Sequence, residues 1–521
     1  MDITNIYLNT SSQNCMVFLE GALRNGFLTF IKRIDQISLL LVKPNFMKKS
    51  LILTGALFGF FLNLSAQTTR QDVIKSIDNG YELYSSTARK IWELAEIGYK
   101  EEQSSALLQD VLGKAGFKIE RGVAEMPTAF IASYGQGKPV IGILGEFDAL
   151  PGMSQDAVPE KKIIAGKENG HACGHHLFGT ASAAAAIAIK NWLIQNKKTG
   201  TLRFYGTPAE EGGSGKVYMV RAGLFHDVDV ALHWHPSSVN SASTGGTLAN
   251  KTGKFRFYGM ASHAAASPER GRSALDGIEA MNDMVNMMRE HVSQETRIHY
   301  VITKGGEAPN VVPAFAEAYY YVRHPKREEV KAVWDRITKA AEGAALGTET
   351  KVEIEITGGV YNMLPNESLA RLMDSNLRTV GGYSYTDKER EFALKIQESF
   401  TAQPPRLEST NEVQPFQLRD GSASTDVADV SWVVPTVGLA TATWVPGTAA
   451  HSWQAVAAGG TTIGYKGMMM AAKTLALTAI DLFNTPTAIE DAWKELRSRR
   501  GDTFKYEALL GDRKPALNYR D

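Results

Sequence analysis

The chain has 521 residues, 44% hydrophobic and 21% charged, and its 56 basic side chains are balanced by 56 acidic ones. That length admits two or more domains, and the composition is that of an ordinary globular protein. Zero net charge gives no electrostatic reason to expect a nucleic acid or an acidic membrane surface as partner.

The first organised stretch is a targeting pattern. Met47-Lys48-Lys49-Ser50 precedes the apolar run Leu51–Leu64, and Ser65-Ala66-Gln67 closes it. Basic residues, an apolar core and small residues before a break predict a secretory signal over 47–66. The run is shorter than the roughly 20 apolar residues a spanning helix needs, so stable membrane insertion after cleavage is not expected. A signal acts from the extreme N-terminus, so Met47 is expected to be the true start and residues 1–46 a mis-called extension that is not a fold element. The expected destination is periplasmic or secreted. Only Cys15 and Cys173 carry thiols. After cleavage Cys173 has no intramolecular partner, so it is either reactive or held by something else, and metal ligation would hold it.

From Gln71 to Gly98, and again from Ser104 to Ala115, apolar residues recur at helical spacing. Ala129–Tyr134 and Val140–Phe147 read as strands, the second apolar enough to be buried on both faces. Pro151-Gly152 forces a loop. Leu177–Lys190 is an Ala-rich helix, Thr201–Tyr205 a strand, and a helix follows to about Ala222 before the strand Val228–His233. Alternating strands and helices predict an α/β sheet with loops gathered at the strand C-terminal ends. The pattern changes near Gly253. Strands at 254–259, 297–303, 315–323 and 351–357, with helices at 273–292 and 327–345, give the order β-α-β-β-α-β of a ferredoxin-like unit. The expectation is a mixed-sheet α/β catalytic domain with helices on both faces, in two parts (67–250 and 361–521), interrupted by an α+β lid over 251–360. The segment after Phe483, with a helix from Ala488 to Arg499, is polar and carries no signal.

Chemistry concentrates in four places. In His171-Ala172-Cys173-Gly174-His175-His176, imidazoles and a thiol crowd into six residues. Both are good ligands for a borderline-soft divalent ion, and Gly174 lets Cys173 and His175 turn toward one point. Glu210-Glu211 follows a strand; adjacent buried acids imply a cation between them or a shared proton. One could ligate a metal while the other accepts a proton from water, although acids are also welcome at a solvated helix start. His233 and His235 lie on one face of a strand by alternation, and only one need be a ligand. His451 sits far down the chain in the loop Gly447–Ser452.

Read in order, Gly145-Glu-Phe-Asp-Ala-Leu-Pro-Gly152, Gly170-His-Ala-Cys-Gly-His175, Pro208-Ala-Glu-Glu-Gly-Gly213, Leu232-His233 and His451 resemble the two-metal amidohydrolases. That family includes aminoacylases, hippurate hydrolases and auxin-conjugate hydrolases, and the Glu-Phe-Asp-Ala-Leu-Pro form looks most like its aminobenzoyl-glutamate branch. The resemblance spans about Gln71 to Phe483. It implies Cys173, His175, Glu211, His233 and His451 as ligands of two divalent ions, zinc or manganese. Glu210 matches the general base and His263 a lid histidine that reaches substrate, in many relatives across a dimer. Asn310 matches a lid residue that binds substrate. Asp148 matches an acid that supports a histidine ligand; here Glu146 stands two residues earlier, so Asp148 is expected to act behind the ligands. The implied activity is hydrolysis of the amide bond of an N-acyl or N-aroyl amino acid by a homodimer. A dipeptidase of the same family, or an inactive ligand-binding relative, is the alternative.

Overall fold

The computed structural model describes residues 70–242 and 245–520; the predicted signal and the 1–46 extension lie outside them. Residues 72–521 form one compact unit. It opens with helical residues 72–79, then α1 (Tyr81–Leu94) and α2 (Glu102–Lys114). The single helix expected over 71–98 is broken at Gly80 and stops at Ala95, which takes a left-handed conformation (φ 46°).

Six strands build the first sheet. They are β1 (Lys118–Arg121), β2 (Phe130–Gln136), β3 (Val140–Gly145), β4 (Gly200–Gly206), β5 (Val230–Ser237) and β10 (Thr436–Ala442), in the order β1-β2-β4-β3-β5-β10. β4, β3, β5 and β10 run parallel, while β2 pairs antiparallel with both β1 and β4. Strand alternation explains why β3 reads as continuously apolar. Ile141 and Ile143 enter one core, Val140 and Leu144 the other, and every residue of the strand is buried. Against the first face packs α3 (His175–Gln195), whose small Ala residues admit close contact. α3 is long and apolar enough to cross a membrane, but here it is a core helix, mostly buried. The short α4 (Gly215–Arg221) contributes Val217, Tyr218, Met219 and Val220 to the core on the other face.

The second sheet is drawn from β6 (Ala249–Tyr258), β7 (Arg297–Lys304), β8 (Phe315–His324) and β9 (Lys351–Val360), ordered β7-β8-β6-β9 and antiparallel throughout. With α5 (Ala274–Met288) and α6 (Arg327–Gly347) it realises the β-α-β-β-α-β order. Ser273 caps α5 by accepting from the Asp276 N–H. Phe255, Phe257, Tyr320 and Trp334 fill the side under the helices, and that core is continuous with the second face of the first sheet. The alternate residues Thr252, Tyr319, Tyr321 and Arg323 face a cleft of about 480 Å³ between the second sheet and the first.

Beyond the lid the chain returns to the first sheet. α7 (Glu367–Val380) joins α3 on its first face. α8 (Asp387–Glu398) and α9 (Trp453–Gly459) share a smaller apolar cluster around Ile396, Trp444 and Ala457. α10 (Thr462–Asn484) then completes the layer beside α3.

One strand differs usefully from its expectation. β5 does not stop at His233 but continues to Ser237, because β10 extends the ladder: Gly438 pairs with His233, Ala440 with His235 and Thr441 with Pro236. The partner lies some 200 residues away, so no local pattern announces it.

Candidate active site

The C-terminal ends of β3, β4 and β5 converge on the start of α3, which is where open α/β sheets present their loops. Gly174, just before α3, has φ 76° and lies so close to Pro236 that a Cβ would sit 2.7 Å from that ring. Only glycine satisfies both demands. The close approach brings the loop against the end of β5, where Cys173 Sγ lies 3.4 Å from His235 Nε2.

His175 is completely buried, and its Nδ1 is 2.9 Å from Asp148 Oδ1. The other oxygen of Asp148 accepts the Glu211 N–H at 2.9 Å, so one carboxylate locks α3 to the loop after β4. That loop is held from behind as well. Ala209 has φ 56°, and its N–H donates to buried Glu101 at 2.8 Å; Thr128 donates to the same carboxylate at 3.0 Å. Glu211 meets His451 Nε2 at 3.0 Å. His451 is itself left-handed (φ 59°) and donates its backbone N–H to Ala172 O at 2.9 Å, which ties the late loop to the Cys173 turn. Two non-glycine residues in a sparsely populated conformation flank the two acids, a pattern common at functional sites.

Donor atoms therefore gather in three overlapping groups: Cys173, His175 and His235; Cys173, Glu211 and His451; and Glu146, His175 and Glu210. Cys173 is shared by two of them. Their fit to cations shows in what is left unpaired. His175 Nε2 and Glu146 Oε2 are buried atoms with no hydrogen-bond partner, although they approach each other to 3.1 Å, and Glu211 Oε1 is buried with the His451 Nε2 contact at 3.0 Å. Buried polar atoms are rarely left so, and a cation would satisfy them. Asp148 holding Nδ1 leaves Nε2 as the free donor, the usual arrangement behind a histidine ligand.

The local field is strongly acidic. Burial pushes the Glu210 carboxyl well above the ordinary range, and the neighbouring charges of Glu146 and Glu211 push it further. At Glu211 burial acts in the same direction, but contact with His451 and the charge of His175 outweigh it and hold the carboxyl low. Contact with Glu211 raises His451. Below the cluster, completely buried Lys216 places Nζ 2.6 Å from Glu146 and 2.8 Å from Asp426. An ammonium with two carboxylate partners tolerates such burial.

Most of the residues singled out in sequence meet here: Asp148, Cys173, His175, Glu210, Glu211 and His451. His233 does not. Its ring lies over Gly438, where a Cβ would come within 2.3 Å of it, and burial lowers its pKa to about 3. His235, one alternation further along β5, takes the place expected of His233, because the strand runs on and its end reaches the Cys173 loop. His171 and His176 belong to none of the three donor groups: their Nε2 atoms contact Ile91 O at 3.0 Å and Gly459 O at 2.9 Å. His263 and Asn310 are joined to each other, with the Ala264 N–H donating to Asn310 O at 3.0 Å, but both are exposed and neither lines the cleft. Sequence reasoning missed Glu101, Lys216 and Asp426 altogether. A lone Lys before Val217-Tyr218-Met219-Val220 was the one available hint.

Residues 142–400 match the sequence profile of peptidase family M20/M25/M40. The chain is 42% identical to a p-aminobenzoyl-glutamate hydrolase subunit of Escherichia coli (strain K12) over 456 residues, covering 82% of this chain and 95% of that protein. It is 30% identical to the Xaa-Arg dipeptidase of Mus musculus over 444 residues, covering 81% and 91%. Among solved structures it resembles a dinuclear metal-binding peptidase of the M20 family from Bacillus subtilis, with a TM-score of 0.53 and 17% identity, covering 78% of this chain and 99% of that one. At that identity the likeness concerns the fold.

Proposed function

The chain belongs to peptidase family M20/M25/M40, and from that membership we propose a metal-dependent hydrolase of the amide bond in N-acyl or N-aroyl amino acids, with an aminobenzoyl-glutamate-like substrate. One observation carries the reading: the Cys173 thiol is shared by two donor groups, His175 with His235 on one side and Glu211 with His451 on the other. These five side chains would hold two divalent cations. A mixed thiolate, imidazole and carboxylate set suits zinc, with manganese as the alternative. When bound, such ions supply Lewis acidity toward a carbonyl oxygen and toward water.

The rest is done by the chain's own groups. Glu210 accepts the proton of the attacking water and returns it to the leaving amine nitrogen. Its buried, acid-flanked position favours holding that proton between the two transfers. Asp148 fixes the ring of His175 and the backbone of Glu211 together, so the donors keep their spacing when substrate enters. Tyr319 and Tyr321 on the lid sheet cover the cleft and limit water. We further propose export through residues 47–66, and a homodimer formed by the lid. Exposed Met287, Val301 and Ile302 near the edge strand β7 support the dimer.

The test uses purified protein loaded with zinc or manganese, assayed on p-aminobenzoyl-glutamate, hippurate and a dipeptide panel. Turnover of the aroyl-glutamate above the dipeptides is expected. Preference for dipeptides would replace the substrate assignment, and no turnover with full metal content would leave a binding protein. Chelation should expose Cys173 to thiol reagents and metal should protect it; equal labelling contradicts ligation. N-terminal sequencing of protein from the native cell should begin near Gln67, and a product retaining Met47 would exclude export.

A further inference from the structure

The segment after α11 (Pro486–Arg500), polar and without a signal in sequence, runs back over the molecule and enters the cleft. It is fastened along its length. Leu509 and Leu510 are buried in the core shared by sheet and lid. Tyr361 donates its hydroxyl to Glu507 O at 2.5 Å, and Arg221 donates to the carbonyls of Gly511 at 2.7 Å and Arg513 at 2.8 Å. Arg513 donates to Ile356 O on β9, and Tyr218 donates to Lys514 O at 3.3 Å. The strap thus touches both sheets before Arg520 reaches the cleft.

There Tyr519 packs edge-on against Tyr99, with centroids 5.6 Å apart, and its hydroxyl donates to Glu211 O at 3.0 Å. Arg520 lies over the Tyr519 ring at 4.8 Å and donates through one terminal nitrogen to the same carbonyl. Its Nε is buried without a partner, and the residue lines the cleft beside Glu210, Glu211 and His451. A guanidinium has five N–H donors in a planar fork that suits a carboxylate. Here the fork is anchored by one donor and stacked on a ring, so its remaining edge is oriented in advance.

We propose that Arg520 is a specificity-determining residue: the strap carries it into the cleft to receive the side-chain carboxylate of an acidic amino-acid substrate. This rests on the amidohydrolase reading, and it identifies the amino acid on the leaving side as glutamate or aspartate. A carboxylate so bound would meet a cation on an otherwise acidic floor, which discriminates strongly against a neutral isostere.

The test compares N-benzoyl-glutamate, N-benzoyl-glutamine and N-benzoyl-glycine on the metal-loaded full chain. In the native protein kcat/KM should favour glutamate. In Arg520→Ala the glutamate-to-glutamine preference should fall at least tenfold, chiefly through KM, with metal content retained. Arg520→Lys should keep part of the preference. Lys514→Ala, whose side chain pairs with exposed Glu125, should keep all of it. An equal loss on all three substrates, or a loss of metal, would mean that Arg520 only supports Glu211 or serves the common α-carboxylate, and overturns the proposal. Calorimetry with glutarate and butyrate decides the matter without turnover: glutarate should bind the native protein more tightly, and Arg520→Ala should remove the difference. If no amide is cleaved but that difference is present and Arg520-dependent, the activity fails and the subsite stands. Equal binding of the two acids sinks the subsite.

Discussion

The floor of the cleft and the tip of the lid both carry a histidine and a polar partner, yet they are built oppositely. On the floor, His175 is completely buried and its position is fixed by Asp148, which in turn holds Glu211, whose neighbour Glu210 follows a loop pinned by Glu101. At the tip, His263 is exposed, and among the described residues its Nδ1 accepts from the adjacent Ala265 and Ala266 N–H groups, at 3.2 and 3.1 Å. The floor is over-determined by segments far apart in sequence, and the tip is a local turn. Preorganised donors cost little at the moment of reaction, so the floor suits chemistry within one chain. The tip has no such support, so any role proposed for it needs a substrate or a second protomer to complete it.

The largest effect should come from the floor acids. Glu210→Gln keeps shape and removes the proton acceptor, so turnover should fall by about two to four powers of ten while metal stays bound, the usual worth of a general base. Glu211→Gln should instead weaken metal binding, with activity partly restored at high metal concentration. Metal stoichiometry and turnover measured together separate the two; the opposite pattern reverses the roles.

Next is the histidine pair on β5. His235→Ala should weaken metal binding at least as much as loss of a group behind the ligands does, roughly 10–100-fold. His233→Ala should spare metal and lower the melting temperature, because it empties a packed site over Gly438. Should His233→Ala be the variant that loses metal, the assignment returns to the residue first expected.

That pair also shows where sequence stops being legible. Alternation puts both histidines on one face, and the family resemblance carried by the order of the motifs brings Cys173, His175, Glu210, Glu211 and His451 together as candidates, although His451 alone is a weak signal. Which histidine reaches the site depends on how far β5 runs, and that is set by pairing with β10, some 200 residues later. Lys216 and Arg520 are illegible for a related reason. Each is an ordinary cation in sequence, and it gains meaning only from acids brought beside it by other segments. The two-sheet architecture is legible because periods of 2 and 3.6 are local properties.

At the lid tip a smaller and different loss is expected. His263→Ala should lower turnover with metal content unchanged. If the tip serves the partner's site, mixing it with Glu210→Gln should restore about one quarter of native activity, since half the dimers are mixed and each has one complete site. No recovery in mixed dimers confines the histidine to its own chain, and a monomer in light scattering removes the premise.

The smallest effect concerns the joint between the two regions. Asp429 accepts the Tyr361 N–H, just beyond β9 where the chain leaves the lid, at 2.9 Å, and the Tyr506 hydroxyl at 2.7 Å. Burial raises its pKa to about 7, against about 3.9 in an unfolded chain. Below the unfolded value both states are protonated and the contribution is fully present. Between the two values the folded protein holds a proton that the unfolded chain has lost, so stability falls as pH rises, by at most about 1.4 kcal/mol per unit from this group. Above about 7 the slope from this group vanishes. Asp429→Asn cannot ionise, so its denaturant-unfolding curve should lack this part of the decline between roughly pH 4 and 7, with kcat little changed. If instead the variant keeps the native pH dependence, Asp429 titrates as an ordinary carboxylate, and the joint is held by its two tyrosines through packing alone.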